Sequence, residues 1–571
     1  MGLDLVIRNG TIIDGTGREG FEGDIAVSNG RIAQIGRITG RACREIDAKG
    51  RIVTPGFVDI HTHYDGQATW DCRLVPSSQH GVTTVVMGNC GVGFAPCRPD
   101  DHDTLVRLME GVEDIPGVVL NEGLAWNWES FAQFLDALDK LPHDIDFATQ
   151  VPHAPVRVYA MGRRGAEREP ATDADIAQMA QLVKAGIEAG ALGFSTSRTL
   201  NHRSSDGHPT PTLTAAENEL VGIAMGMKQA GRGVLQMVSD LRHPEVEMPM
   251  FRRLVERSGR PLSLSLAQTE AAPQAWRTIL GHIEEAVRAG LPMRAQVIGR
   301  PVGVLLGFQL TRCPFSHRPS YKEIDKLPWE RKLAVLRDPE FKRRLLAEKP
   351  DNTEMAFFRT MNRHFGKMFE LGDPPDYEPS PDRTLGARAA AMGVDIAELA
   401  YDLLMQNDGS GILIFPFLNY AEGSLDVALE MLKHKDTVVG LADGGAHVGT
   451  ICDGSLPTYM MTHWTRDRTR GEKLPLPWVV RAQSRDTARA VGLTDRGTIE
   501  VGMKADLNVI DYDKLSLRPP RVVFDLPKGG KRLLQDAVGY CASIVSGEIV
   551  YRHGEPTGAL PGRLVRGGAI A

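Results

Sequence analysis

The residues with the clearest chemical capability lie in TPGFVDIHTHYDG, residues 54–66, where an apolar stretch runs straight into His61-Thr62-His63. In an extended backbone, residues i and i+2 point the same way, so both imidazoles can face one cation at the end of a strand. Neutral imidazole is a favoured zinc ligand. A second stretch, GLADGGAHVG at 440–449, ends an apolar run on Asp443 and follows it with two glycines. A carboxylate there can ligate a metal and take a proton from water, whereas a turn-capping aspartate would do neither. His447 in the same loop either assists or packs on the turn. The third stretch, VVMGNCGVGFAP at 85–96, puts Cys90 in a glycine-rich loop after a strand. As a thiolate it is a soft zinc ligand, and otherwise it is a buried inert cysteine. Cys97 is a weaker candidate by position.

Other polar side chains follow apolar runs in the same manner. PHAPVRVYAMG (152–162) offers His153 and Arg157, GFSTSRTLNHRSSDG (193–207) offers Ser195, Arg198, His202 and Arg203, and GRP (299–301) offers Arg300. Cationic and hydroxyl groups in these places suit a substrate carboxylate or carbonyl. We take His153, Arg198, His202 and Arg300 as candidate substrate-binding residues, with loop capping as the alternative.

Positioning such groups requires strands that end in one place. Short apolar runs at 57–61, 82–87, 145–151, 190–195, 233–239, 262–267, 293–298 and 437–442 alternate with amphipathic stretches such as 173–189 and 215–230. Eight β-α units predict an α/β chain folded as a (β/α)8 TIM-like barrel, spanning residues 55–497. The gap before the last strand is too long for an ordinary connection, so about 304–430 is expected to be an insertion over the catalytic face, serving as a lid or pocket wall or as an oligomer contact. Its apolar runs VGVLLGFQL and GILIFPFLNY suit either an acyl pocket or the insertion's own core. Both termini, 1–54 and 498–571, carry period-two alternation with Gly and Asn punctuation, and are expected to pair into a small β-sandwich.

The 571 residues are 42% hydrophobic and 24% charged with net charge −6, which gives no electrostatic footprint for nucleic acid. No apolar stretch reaches membrane-spanning length, so no membrane insertion is expected. The opening MGLDLVIRNGTIIDG lacks the form of a signal peptide, so the expected location is cytoplasmic. Seven cysteines, widely spaced and without a CxxC pair, argue against both a disulfide framework and a zinc ribbon.

The stretches VIRNGTIIDGTG, PGFVDIHTHYD, HGVTTVVMGNCGVGFAP, VEDIPG with WNWESF, GALGFSTSR and GMKADLNVID together resemble the amidohydrolase superfamily, and within it the D-aminoacylase, or N-acyl-D-amino-acid deacylase, group. The resemblance covers nearly the whole chain. It implies the barrel, the terminal sandwich, an insertion before the last strand, and zinc-dependent hydrolysis of N-acyl amino acids. It makes His61 and His63 first-strand ligands, Cys90 the ligating cysteine, and Asp443 the last-strand aspartate acting as general acid/base. Two family histidines are missing. Where the fifth strand should end in one, this chain reads Ser239-Asp240-Leu241-Arg242, and where the sixth should supply another it has Leu266, with Gln268 two residues on and His243 elsewhere nearby. One zinc held by His61, His63 and Asp443, completed by Asp240 or Cys90, is the favoured arrangement. A weaker second site using Asp240 and Gln268, or loss of metal and catalysis, are the alternatives.

The expected activity is hydrolysis of a small-molecule linear amide, most simply an N-acyl amino acid, with Asp443 accepting a proton from water and returning it to the leaving nitrogen. Rival substrates are a cyclic amide, a carbamate or an ester. A rival of another class is a metal-free binding or scaffold protein. A homo-oligomer is compatible with each.

Overall fold

The computed structural model describes residues 2–351, 361 and 364–567. Parts of the expected insertion and of the C-terminal segment lie outside the described residues. The chain is an α/β protein.

The eight apolar runs all form strands: β1 (Phe57–Asp59), β2 (Val82–Met87), β3 (Asp146–Thr149), β4 (Gly193–Arg198), β5 (Val234–Ser239), β6 (Leu262–Ser265), β7 (Met293–Val297) and β8 (Thr437–Val439). All six residues of β2 are buried, as expected of a strand covered on both faces. The pairing is parallel throughout. It runs β1-β2-β3, passes from β3 to β4 through the two-residue continuation Val151–Pro152, and goes on in order to β7 and β8. Beyond β8 the backbone meets the end of β1 in a parallel bridge between Thr62 and Gly444. Asp443 N–H donates to the His61 carbonyl at 3.0 Å and His63 N–H to that of Gly444 at 2.8 Å. The run of strands therefore returns to its first member where the two strongest motifs meet.

Helices return the chain between strands. Asp173–Ala189 starts at a capping box in which Thr172 and Asp175 satisfy each other's backbone N–H groups, and Glu217–Ala230 packs against it. The helix α1 (His102–Glu113) lies in the long connection after β2 and ends at Asp114, whose φ of 54° is left-handed.

Strands from both ends of the chain join one sheet of nine, in which Ile52–Pro55 pairs antiparallel with Leu507–Ile510. Leu5, Ile25, Val27, Leu507, Val509 and Ile544 share a buried cluster within it.

The segment between β7 and β8 opens on Val302–Leu306 and returns on Leu413–Leu418, antiparallel to each other. The charged stretch near 330–347 is helical, as its pattern predicts. Leu306, Phe308, Phe315, Tyr321, Leu404 and Phe415 form a core separate from that of the parallel strands. The two apolar runs considered for an acyl pocket thus pair with one another and fill core. The segment is held down by charge. Glu378 accepts hydrogen bonds from Arg468 Nε at 3.0 Å and Nη2 at 2.9 Å, pairs with His463 Nε2 at 2.7 Å, and takes the Leu425 N–H at 2.8 Å. Arg468 also reaches Asp426 at 2.7 Å.

Burial alone would raise the Glu378 carboxyl, but the hydrogen bonds from His463 and Arg468 prevail and bring it to about 2. A depressed carboxyl contributes stability above its unfolded value of 4.5, and that contribution fades as pH falls through 2. Glu378→Gln should therefore cost about 3 kcal/mol at neutral pH, as expected for breaking a buried ion pair. Denaturant melts of parent and variant between pH 7 and pH 2 should show this gap closing as acid protonates the parent's Glu378.

Candidate metal centre

β1 delivers two imidazoles to one point. His61 and His63 are each 1% exposed. His61 Nδ1 lies 2.7 Å from Gln296 Oε1 on β7, so its proton sits there and Nε2 is left as a lone-pair donor. Burial pushes His61 down to about 4, which keeps the ring neutral and fit to ligate. His61 Nε2 is 3.3 Å from Cys90 Sγ and 3.5 Å from Asp443 Oδ1, and His63 Nε2 is 3.6 Å from the same oxygen. One donor atom each from His61, His63 and Cys90 fall within 4.8 Å of one another. Donors around a tetrahedral zinc at 2.0–2.3 Å stand about 3.3–3.8 Å apart, and the three spacings of 3.3, 3.5 and 3.6 Å fall in that range.

Electrostatics agree with the geometry. Burial pushes the Cys90 thiol up to about 11, so a nearby cation is what would make it a thiolate. Burial also opposes a charge on His63, but Glu113, Asp443 and Cys90 outweigh it and hold its pKa well above the ordinary imidazole value. Burial would raise Asp443, yet His63 and His61 hold it well below the usual carboxylate range. The residues present therefore demand a positive charge at their centre and supply N, S and O donors for it.

The supporting loops are strained and tightly held. Cys90 (φ 55°), Leu441 (62°), Asp443 (49°) and His447 (49°) all occupy the left-handed region, which costs non-glycine residues and recurs at functional sites. Gln236 Oε1 on β5 accepts the Cys90 N–H at 3.1 Å, and Ser195 Oγ accepts that of Gly91 at 3.0 Å while donating to the Gly88 carbonyl. Asn89 reaches back to the carbonyls of Thr62 and Val86.

The remaining candidates divide sharply. His202 lies within electrostatic reach of His447, His63 and Asp443. Its Nδ1 lies 2.9 Å from Ser197 Oγ, and burial, helped by the charges of His447 and His63, pushes it down to about 3. Asp240 does not join the site. Its oxygens accept from the Thr199 hydroxyl and the Leu200 N–H, so it buttresses the loop after β4. Both ring nitrogens of buried His153 are engaged, by Thr196 at 2.8 Å and Glu219 at 3.0 Å, and Arg157 joins the same carboxylate at 2.9 Å. Arg198 turns to the Ala215 carbonyl and lies 3.5 Å from Glu247. Arg300 is buried against Asp453, Ser455 and the Cys452 carbonyl, over the Tyr377 ring. His153, Arg198 and Arg300, expected as substrate contacts, each engage protein partners remote in sequence. Leu266 is buried, Gln268 clasps Asn419 and Ala421 of the segment before β8, and His243 is exposed beside Glu245. Cys97 donates to the Arg98 carbonyl.

Three residues escaped the sequence reading. Gln236 and Gln296 are amides in the interior of apolar strands, and a lone amide in such a strand is a signal worth following. Glu113 comes from α1 and lies inside the VEDIPG stretch, with no local pattern to mark it.

The sequence profile of the amidohydrolase family matches residues 44–551. An uncharacterized protein of Mycobacterium tuberculosis (strain ATCC 25618 / H37Rv) is 26% identical over 550 residues, covering 89% of this chain and 84% of the relative. The D-aminoacylase of Alcaligenes xylosoxydans xylosoxydans is 36% identical over 195 residues, covering 34% of this chain and 37% of the relative. Among solved structures, a D-aminoacylase superposes with a TM-score of 0.65 at 23% identity, over 99% of this chain and 100% of the other. N-acyl-D-glutamate deacylase from Bordetella bronchiseptica, complexed with zinc and a phosphonate inhibitor, gives 0.64 at 22% identity over the same shares. The chain belongs to the amidohydrolase family, as a D-aminoacylase-like member, and is a hydrolase of carbon–nitrogen bonds other than peptide bonds.

Proposed function

We propose that this protein hydrolyses a linear amide, most simply an N-acyl amino acid, with one zinc ion held by His61, His63, Cys90 and Asp443. The observation that carries this reading is the convergence of His61, His63 and Cys90 within 4.8 Å of one another, with Asp443 Oδ1 3.5 and 3.6 Å from the two imidazoles. The deacylases of similar fold support the substrate class, and one of them is described as activated by one metal and attenuated by a second. In this reading the parallel strands form a (β/α)8 barrel over residues 55–497, the termini 1–54 and 498–571 form a sandwich beside it, and 304–430 covers the pocket.

When bound, the cation supplies Lewis acidity, which acidifies water and polarises the substrate carbonyl. The protein's own groups do the rest. Asp443 is anionic at neutral pH, takes the proton from the attacking water, and hands it to the leaving nitrogen. His202 is neutral, and in this reading its Nδ1 rests against the Ser197 hydroxyl while Nε2 carries the proton offered to the carbonyl oxygen as negative charge develops there.

Elemental analysis of the purified chain should find about one equivalent of zinc, retained in Asp240→Asn and lost in His61→Ala. Absence of any cation, even after zinc reconstitution, would leave a binding protein in place of a hydrolase. Asp443→Asn should keep its zinc while kcat on N-acyl amino acids falls about 10²–10⁴-fold, the usual range for a general base. Undiminished turnover in that variant removes Asp443 from the role, and a panel of cyclic amides, carbamates and esters separates the substrate classes.

A further inference from the structure

Glu113 is a carboxylate 1% exposed that reaches the centre from outside the strands. It is the last residue of α1, which sits in the connection between β2 and β3. Its Oε1 lies 3.2 Å from His63 Nδ1, the ring nitrogen turned away from Asp443 and Cys90. Its Oε2 lies 3.7 Å from His447 Nε2 and has no hydrogen-bond partner. Its carbonyl accepts the His447 N–H, and the neighbouring Asp114 carboxylate accepts the Gly449 N–H at 3.1 Å. The end of one helix therefore grips both the His63 ring and the loop that carries Asp443 and His447.

We propose that Glu113 is a positioning residue for the metal centre, orienting His63 through Nδ1 and holding His447 against the same carboxylate. This inference rests on the proposed metal-dependent function. The two histidine ligands then have unlike supports. Gln296 gives His61 a neutral amide acceptor, while Glu113 gives His63 a full negative charge. A carboxylate behind a metal-ligating imidazole fixes the tautomer and raises the donor strength of the opposite nitrogen. It also adds a negative charge close to the cation, which offsets part of the cost of burying that carboxylate. Neither Glu113 Oε2 nor His63 Nδ1 has a hydrogen-bond partner elsewhere among the described residues. Binding a cation at Nε2 of His63 favours the Nδ1–H form that Glu113 can accept from.

The test uses the full chain and measures zinc affinity by chelator competition, beside the visible spectrum of the cobalt(II)-substituted protein. Glu113→Gln keeps the shape and removes the charge, and should weaken zinc binding about 10–100-fold and shift the cobalt spectrum. Glu113→Asp keeps the charge but withdraws it by one methylene, and should also weaken zinc and shift the spectrum, which covers the case in which the glutamine variant does not fold. Zinc affinity and cobalt spectrum equal to the parent in a folded variant overturn the proposal while leaving the single-metal hydrolase intact. A parent chain that takes up neither zinc nor cobalt overturns both.

Discussion

Two buried or half-buried carboxylates converge on two buried imidazoles in this protein, and the centre depends on how their charge is balanced. An ionised carboxylate taken out of water without a partner is among the most costly features a fold can carry. Asp443 and Glu113 both approach His63, on opposite ring nitrogens. A proton on His63 answers them in the absence of metal, and a divalent cation answers them with more charge and better directed bonds. The same requirement explains why His61 is backed by an amide: a second carboxylate there would add to a negative surplus that one cation must already neutralise. It also explains the loops. Left-handed backbone at Cys90, Asp443 and His447 aims three side chains that regular strand ends would direct elsewhere, and that strain persists because Gln236, Ser195 and the end of α1 hold each loop from outside.

The larger parts of the fold serve the same end. Asp443 follows β8 and the histidines follow β1, so the centre exists only because the parallel run closes on itself between Thr62 and Gly444. The segment between β7 and β8 has a core of its own, yet it is joined to the rest by Leu305, Leu310, Phe369 and Ile414, which pack in the main core, and by the Glu378–Arg468–His463 group.

What was legible in the sequence follows from how local each feature is. The eight strands announced themselves as short, largely apolar runs, as expected of strands packed into a core, and amides within them such as Gln236 and Gln296 are buried and hydrogen-bonded. His61, His63, Cys90 and Asp443 were legible because each is written into the end of a strand or the loop that follows it. His153, Arg300 and Asp240 have the same local appearance and a different fate. Their partners are Glu219, Asp453 and the Thr199–Leu200 turn, 66, 153 and about 40 residues away, and no spacing rule reports a partner at that range. Glu113 is the converse case. Nothing around it in α1 distinguishes it from a solvent-facing acid, and only the packing of that helix against the β8 loop turns it inward.

The proposal of a single cation rests on the groups that β5 and β6 do provide. Asp240 follows β5 but is claimed by the turn at 199–200, and Gln236 further back on the same strand uses its oxygen on the Cys90 backbone. Its nitrogen faces Ser265 of β6 at 3.4 Å. Leu266 follows, buried and unable to ligate, and Gln268 is occupied by the segment before β8. The far side of the centre is thus lined by neutral amides and a hydroxyl whose hydrogen bonds are largely made within the protein. A second divalent ion beside the first would have to overcome its repulsion with carboxylates or imidazoles of its own. Those residues are committed elsewhere, whereas the first ion finds a thiol, two imidazoles and a carboxylate already facing one another.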